Sequence, residues 1–420
     1  MNIYSTIRGV RQIKLNLKSL NYQSLFLILL KSLDKVSKYA LSPLGLVIAL
    51  IIRVIQPWIV VRMDILVSDR LGHFAANTEL YLCEMDAGYN TPKGKYYDIW
   101  YHNWPVSNKQ LSKMWGRVIN IWPGLIMFSA DHISRKLPGS INHIIPPNKS
   151  LDRDVYNLLD DSEPHLNFTE GENKLGRDGL IKIGIPKGRE FICLNVRDSS
   201  YLDHTLPWKQ WDYHDYRDSN IKNYMEAANV LTEKGYYVVR MGALVRDRFE
   251  TENPMIIDYA ANGMRTDFMD VYLGAKCKFC ISTSTGFDAI PVIFRRPVLY
   301  TDFTHIEIFN SFVKKSMTLF KHHYLISEGR DMKISEMLKT GVGRIYYTSD
   351  YKLRGIKLVN NSPKELKEAV LEMDDRISGK FDDSYEHLQE KLKNMYANSD
   401  LHGEIRSRVV TKCLVEDSLL

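Results

Sequence analysis

From Trp58 onward, short apolar runs alternate with longer stretches that carry apolar residues on one helical face. Residues 63–67 read as a strand, and residues 74–84 as a helix with Phe74, Leu80 and Tyr81 on one side. A second strand is predicted over 96–101 and a second helix over 108–118. The alternation breaks over 139–188, where Pro146, Pro147, an acidic run and several glycines predict loops. It then resumes with strands over 191–196, 236–240, 279–282 and 297–300, and with helices over 221–234, 266–275 and 286–294. Two amphipathic helices follow over 363–377 and 384–396. Strands that alternate with helices imply parallel sheets covered by helices on their faces. The expected fold is α/β, two Rossmann-like domains facing across a cleft, with helical extensions at both ends. The predicted division is a basic and apolar helical membrane-associating segment (1–57), an N-terminal Rossmann-like domain (58–165), a linker (166–188), a C-terminal Rossmann-like domain (189–360) and C-terminal helices (361–420).

Composition narrows the class. With 45% apolar and 25% charged residues in 420, the chain is neither disordered nor collagen-like, and five scattered cysteines make no disulfide scaffold. The odd cysteine number fits a reducing cytosol, and no signal-peptide pattern opens the sequence. The net charge of +6 is concentrated: residues 1–38 hold seven basic side chains against Asp34 alone, so the remainder is neutral. That distribution argues against a nucleic-acid partner. It suits an anionic membrane surface, because the run over 25–30 is flanked by Lys18, Lys31 and Lys35. The run over 41–52 is shorter than the roughly 20 residues that span a bilayer. Both runs could instead be buried helices of the first domain.

Candidate chemistry lies on loops after predicted strands, where α/β sheets bind ligands. Ser282-Thr-Ser-Thr-Gly286 follows a strand and opens a helix, so its hydroxyls, N–H groups and helix dipole suit a phosphate. Capping by Ser284 or Thr285 is the plainer reading. Arg197 and Arg240, the latter just before Gly242, could grip a diphosphate, or pair with a carboxylate such as Asp198. Arg70-Leu-Gly-His73 places a histidine at the mouth of the cleft with Asp69 and Glu79 nearby. Asp203-His204 and His214-Asp215 are imidazole–carboxylate neighbours of the kind general acid–base catalysis uses. Neither a GxGxxG after a strand nor a GxxxxGK[ST] is present. The lone Cys277-Lys-Phe-Cys280 lacks a second ligand pair for zinc, and Asp152-Arg-Asp154 reads as solvated. No metal site and no bound cofactor are expected.

Several ordered motifs over residues 60–305 carry a resemblance. They are Arg70-Leu-Gly-His73 with Asn77-Thr-Glu79, Asn195-Val-Arg-Asp-Ser-Ser-Tyr201, His214-Asp-Tyr-Arg-Asp-Ser219, Arg240-Met-Gly242 and Ser282-Thr-Ser-Thr-Gly-Phe-Asp288. Together they resemble a family of glycosyltransferases from bacterial O-antigen and capsule clusters, and the second half is similar to the nucleotide-sugar half of GT-B enzymes. The resemblance implies a Leloir-type transfer from a nucleotide sugar to a surface glycan or lipid-linked glycan of O-antigen, capsule or lipopolysaccharide type. It implies a metal-independent reaction on the inner face of the bacterial cytoplasmic membrane. On that reading His73 is the general base, with Asp215 or Asp69 as rivals. Arg197, Arg240, Gly242, Ser282, Ser284, Thr285 and Gly286 hold the donor, while Arg70, Glu79 and His214 lie on the acceptor side. A non-catalytic nucleotide- or glycan-binding scaffold, or another nucleotide-sugar enzyme such as an epimerase, remains open.

Overall fold

A computed structural model describes residues 36–37, 39–146, 153–198, 212–382, 384–396, 399 and 401–416. Most of the basic N-terminal segment, the 25–30 run, Asp203 and His204 lie outside the described residues, as does the side chain of His214.

The chain is α/β, with parallel sheets. In the first lobe, helix α1 (Ser42–Ile55) leads into strand β1 (Val60–Leu66), helix α2 (Leu71–Asp86), strand β2 (Tyr96–His102), and helices α3 (Lys109–Trp115) and α4 (Gly124–Ser134). β1 and β2 pair in parallel from Val60↔Tyr96 to Leu66↔His102. Single parallel bridges, Met63↔Ile144 and Trp100↔Ile121, extend this sheet by one position on each side. The first lobe is therefore a smaller sheet than a full Rossmann half.

The second lobe contains helix α5 (Glu170–Lys182), strands β3 (Phe191–Asn195), β4 (Tyr237–Arg240), β5 (Ile256–Ile257), β6 (Cys280–Ser282), β7 (Val298–Phe303) and β8 (Met317–Phe320), and helices α6 (Met225–Glu233), α7 (Asp267–Lys276) and α8 (Ala289–Ile293). A small antiparallel sheet of β9 (His322–Leu325), β10 (Arg330–Asp331) and β11 (Ile356–Val359) follows, then α9 (Pro363–Ile377), α10 (Glu386–Met395) and β12 (Arg408–Val409). The main sheet runs β12-β8-β7-β6-β3-β4-β5, with every pair parallel.

Alternation explains its burial. Ile192, Leu194, Val238, Phe279, Ile281 and Leu299 face one apolar cluster, and Phe191, Cys193, Val239, Cys280 and Val298 face the other. A parallel sheet buried on both sides needs such continuous apolar runs. The first cluster is completed by Ala227, Ala228 and Leu231 of α6 and by Leu366, Ala369, Val370 and Met373 of α9. Removing one of these fully buried leucines costs about 2–5 kcal/mol.

Two expectations about the chain's organisation change. The 166–188 stretch, expected as a linker, contains α5, which Thr169 and Glu172 start with a reciprocal capping box. The C-terminal residues are no appendage: α9 packs on the sheet and β12 extends its edge beside β8. Asp154, expected in solvent, is buried and accepts the backbone N–H groups of Leu158 and Leu159 at 2.8 Å each.

The lobes join through shared apolar contact. Leu66, Phe74, Leu111, Met114 and Trp115 of the first lobe form one cluster with Val271, Ala289, Ile290 and Ile293 of the second. Asp267 adds polar stitches, its carbonyl accepting from Asn108 and its carboxylate from the Lys109 N–H.

Candidate functional site

The order of the main sheet puts β3 between β4 and β6. From β3 the chain moves outward through β4 and β5, then returns to the other side of β3 as β6. That reversal is a topological switch point, where the loops leaving two neighbouring strands diverge and open a ligand crevice. β3 and β6 end level, with Asn195 opposite Ser282. The loops carrying Arg197 and the hydroxyl-rich turn therefore start side by side.

Hydrogen bonds assign most of that turn to structure. The Arg197 N–H donates to Thr283 Oγ1 at 2.8 Å, and the Thr283 N–H donates to the Asn195 carbonyl at 3.1 Å. Ser282 is fully buried and donates its hydroxyl to Asp288 Oδ2, which also accepts the Thr285 N–H, both at 2.8 Å. Thr285 Oγ1 accepts from the Phe287 N–H. Three of the four hydroxyls thus hold the turn closed, and Ser282, expected on the donor, is withdrawn from it. Ser284 is different. It is half-buried, its backbone is left-handed at φ +57°, and no described residue takes its N–H or hydroxyl. A non-glycine residue in that region signals a local constraint. The expected helix dipole contributes little, because α8 begins three residues beyond Gly286 and is five residues long.

A close approach explains the glycine at 286. A Cβ on Gly72 would stand 3.1 Å from the Gly286 Cα, and one on Gly286 would stand 3.1 Å from the Gly72 nitrogen. The close approach is between the backbones of the two lobes. It places the Arg70–His73 segment against the Ser282–Gly286 turn. His73 lies half-buried in the first turn of α2, next to Gly72. Asp69 Oδ1, just before, and Asn77 Oδ1, one turn later, are buried without a hydrogen-bond partner among the described residues.

Cations gather on the second-lobe side. Arg217 ends a 3-10 segment, Asp212–Arg217, and donates through Nη2 to the Ser284 carbonyl at 2.5 Å. Burial lowers the pKa of its guanidinium, and the nearby Arg197 charge lowers it further. Arg197 Nε lies 3.3 Å from Asp218 Oδ1 without hydrogen-bond geometry. Lys321 is buried behind them and donates to the carbonyls of Tyr216 and Asp218, which pins the segment in place. Burial raises the Asp218 pKa to about 6, against the opposing pull of Arg197. Tyr213 titrates high through burial and its neighbour Tyr347, while Arg70 and Arg197 both act on it in the opposite sense. Arg70, exposed on the first lobe, thus shares an electrostatic neighbourhood with Arg197. The Arg197 charge beside the buried Arg217 guanidinium makes a site suited to an inserted anion.

Other expected residues serve elsewhere. Arg240 is 1% exposed, donates to the Asp247 carbonyl and lies 3.3 Å from Asp258, so its guanidinium braces the following loop. Gly242 serves the same turn, where a Cβ would meet Val245 at 2.7 Å. Glu79 is 0% exposed and sits 2.7 Å from Arg295 and 3.1 Å from His165 Nδ1, an internal ion cluster and not an acceptor contact. Asp215 is exposed on the 3-10 segment.

Glu79, Cys83 and His165 bring a carboxylate oxygen, a thiol and a ring nitrogen within 4.8 Å of one another. The Arg295 guanidinium already supplies the cation there, contacting Glu79 and standing 3.7 Å from the Cys83 sulfur. Burial disfavours charge on His165, but hydrogen bonds to Cys83 and Glu79 outweigh it and lift its pKa to about 10.

Arg217, Asp218, Lys321 and Tyr213 were not singled out from sequence. The signal was present for two of them, since Arg217 and Asp218 fall within the His214–Ser219 motif.

No protein-family profile matches the chain, and no curated protein does. Among solved structures it is similar to ADP-heptose lipopolysaccharide heptosyltransferase II of E. coli, with 14% identity, 74% of this chain and 98% of that chain covered, and a TM-score of 0.41. It is also similar to a glycosyl transferase family 9 protein of Veillonella parvula, with 12% identity, 74% and 96% covered, and a TM-score of 0.40.

Proposed function

We propose that the protein is a glycosyltransferase that moves a sugar from a nucleotide-activated donor to a bacterial surface glycan, free or lipid-linked, at an anionic membrane face. The observation that carries this reading is the meeting of Arg197, Arg217 and the Ser284 turn at the sheet's switch point, closed from the other lobe by Arg70, Gly72 and His73. The motif resemblance supports the same reaction class. The donor diphosphate lies against Arg197, Arg217 and the Ser284 N–H and hydroxyl, which no described residue takes. As the bond from the anomeric carbon to the phosphate oxygen breaks, charge builds on the departing nucleoside diphosphate, and fixed guanidiniums stabilise it without a metal. A new bond forms between that carbon and an acceptor hydroxyl, whose proton passes to a base. His73 is the first candidate for that base, with Asp69 and Asp215 as alternatives.

Melting curves against a panel of nucleotide sugars test the donor site, since a ligand bound only by the native state raises the transition. One donor class should raise the transition in the native sequence, and Arg197→Ala with Arg217→Ala should abolish the effect. His73→Ala should retain the donor response and lose transfer. Donor binding without product in any acceptor assay identifies a scaffold instead, and conversion of the donor without acceptor identifies an epimerase.

A further inference from the structure

Helix α1 carries a face that the other described residues leave exposed. Its buried residues, Gly45, Ala49 and Ile52 at helical spacing, turn inward onto α4. The approach is close enough that a Cβ on Gly45 would lie 2.7 Å from the Ser129 carbonyl carbon. The opposite face shows Leu44, Val47, Leu50, Ile51 and Val54 to solvent, with Trp58 just beyond the helix end. Val54 is 69% exposed and Trp58 72%. An exposed helix face in a soluble domain is ordinarily charged or polar. This helix has a single ionic side chain, Arg53, and its guanidinium is directed to the Ser134 carbonyl and hydroxyl at the end of α4. The outward face is therefore charge-free along its whole length.

We infer that the outward face of α1 is a docking surface for an anionic lipid bilayer, lying in the plane of the interface with its apolar side chains among the acyl chains. The inference sharpens the membrane part of the proposed function and needs nothing of the sugar-transfer part. Length excludes a crossing: fourteen residues extend about 21 Å, short of the roughly 30 Å hydrocarbon core. No helix among the described residues is long and apolar enough to span a membrane. Charge selects the lipid. The seven basic residues of positions 1–38 lead directly into the first turn of α1 in sequence, with Lys35 and Lys38 nearest. An apolar helix that follows a basic stretch in sequence is the combination that holds a helix at an anionic interface.

Co-sedimentation of the full chain with vesicles tests this, using phosphatidylcholine alone and phosphatidylcholine mixed with phosphatidylglycerol. The native sequence should partition onto the mixed vesicles. Val47→Asp, Ile51→Asp and Val54→Asp combined should weaken that binding about tenfold or more, with an unchanged melting temperature, because three exposed apolar contacts are lost and three repulsive charges gained. A second measurement uses the native sequence: brominated lipids should quench the Trp58 fluorescence, and Trp58→Phe should remove that part of the quenching. Three results overturn the inference. One is vesicle binding that the triple substitution does not change, and another is no binding by the native chain. The third is a triple variant that melts much lower or passes from dimer to monomer, since the face is then covered by the chain's own residues or by a second copy. Donor-induced thermal shifts report on the transferase reading separately, so either can fail alone.

Discussion

Ser284 concentrates the local tension of the site: it is a residue with a Cβ in left-handed backbone, held by the Arg217 guanidinium on its own carbonyl. Left-handed backbone costs a non-glycine residue roughly 1–2 kcal/mol. Ser284→Gly should therefore leave stability unchanged or raise it by up to about 1 kcal/mol in denaturant titrations. The same change should weaken donor binding, because the hydroxyl goes with the strain. Ser284→Ala keeps the strain and should lose a similar share of affinity, so equal donor affinity in all three proteins would remove Ser284 from the site. Asp218 makes a second prediction. Its folded pKa of about 6 lies above the ordinary carboxylate value of 3.8, so the folded state holds the proton more tightly. Stability from this group is present below pH 3.8 and is lost as pH rises to about 6. Above that, an ionised Asp218 partly neutralises Arg197 and repels an incoming diphosphate. Asp218→Asn should flatten the decline of donor affinity between pH 5 and 7 and strengthen binding at neutral pH, about tenfold or less, as read by calorimetry. A variant whose affinity follows the native pH curve would show that Asp218 does not face the anion.

Elements were legible where a periodic pattern carried its own boundary residues. The 363–377 helix matches its expected span because Ser362 and Glu365 form a capping box beside Pro363. The 266–275 helix was legible because Thr266 caps it. By contrast, β9, β10 and β11 were missed. Their strands are two to four residues long and half exposed, so no alternation accumulates, and His322, in contact with both Asp331 and Glu365, ties them to α9. That contact has a pH signature. The hydrogen bond to Glu365 is the largest cause, and it lifts the His322 pKa to about 9 despite burial. The lowered Glu365 pKa is the same interaction seen from its partner. With a folded value above the unfolded 6.5, the stabilisation is complete below pH 6.5 and is lost as pH rises through about 9. His322→Gln should cost about 1 kcal/mol at pH 6, the scale of a part-exposed pair, and almost nothing at pH 10. Denaturant midpoints of both proteins across that range check the sign. Within the site, Arg240 misled for a related reason: a strand-end arginine looks the same in sequence whether it turns outward to a ligand or inward to brace a loop. The Asp247 carbonyl and the Asp258 carboxylate hold it inward.

At the scale of the whole molecule, the two lobes share one apolar cluster and touch backbone to backbone where Gly72 meets Gly286. Sequence periodicity could indicate two α/β units, but not this register between them, since neither glycine sits in a turn that demands it. The register decides whether the proposed base on α2 and the Arg197 and Arg217 guanidiniums that follow β3 can act on one substrate. Gly72 lies within the first turn of α2, so Gly72→Ala gains helix propensity of up to about 1 kcal/mol. Its new Cβ, however, would press on the Gly286 Cα at 3.1 Å, and backbone can yield only by displacing α2 or the turn. The two effects oppose each other in stability and act together on the site. A displacement of a few tenths of an ångström moves His73 and Arg70 relative to Arg197 and Arg217, and catalytic geometry is far more sensitive to such shifts than folding is. Gly72→Ala should therefore melt within a few degrees of the native protein yet transfer sugar at least about tenfold more slowly, with donor affinity changed less than turnover. An alanine variant with full turnover would mean that the seam is packing alone, and that the chemistry does not run across the two lobes at this point.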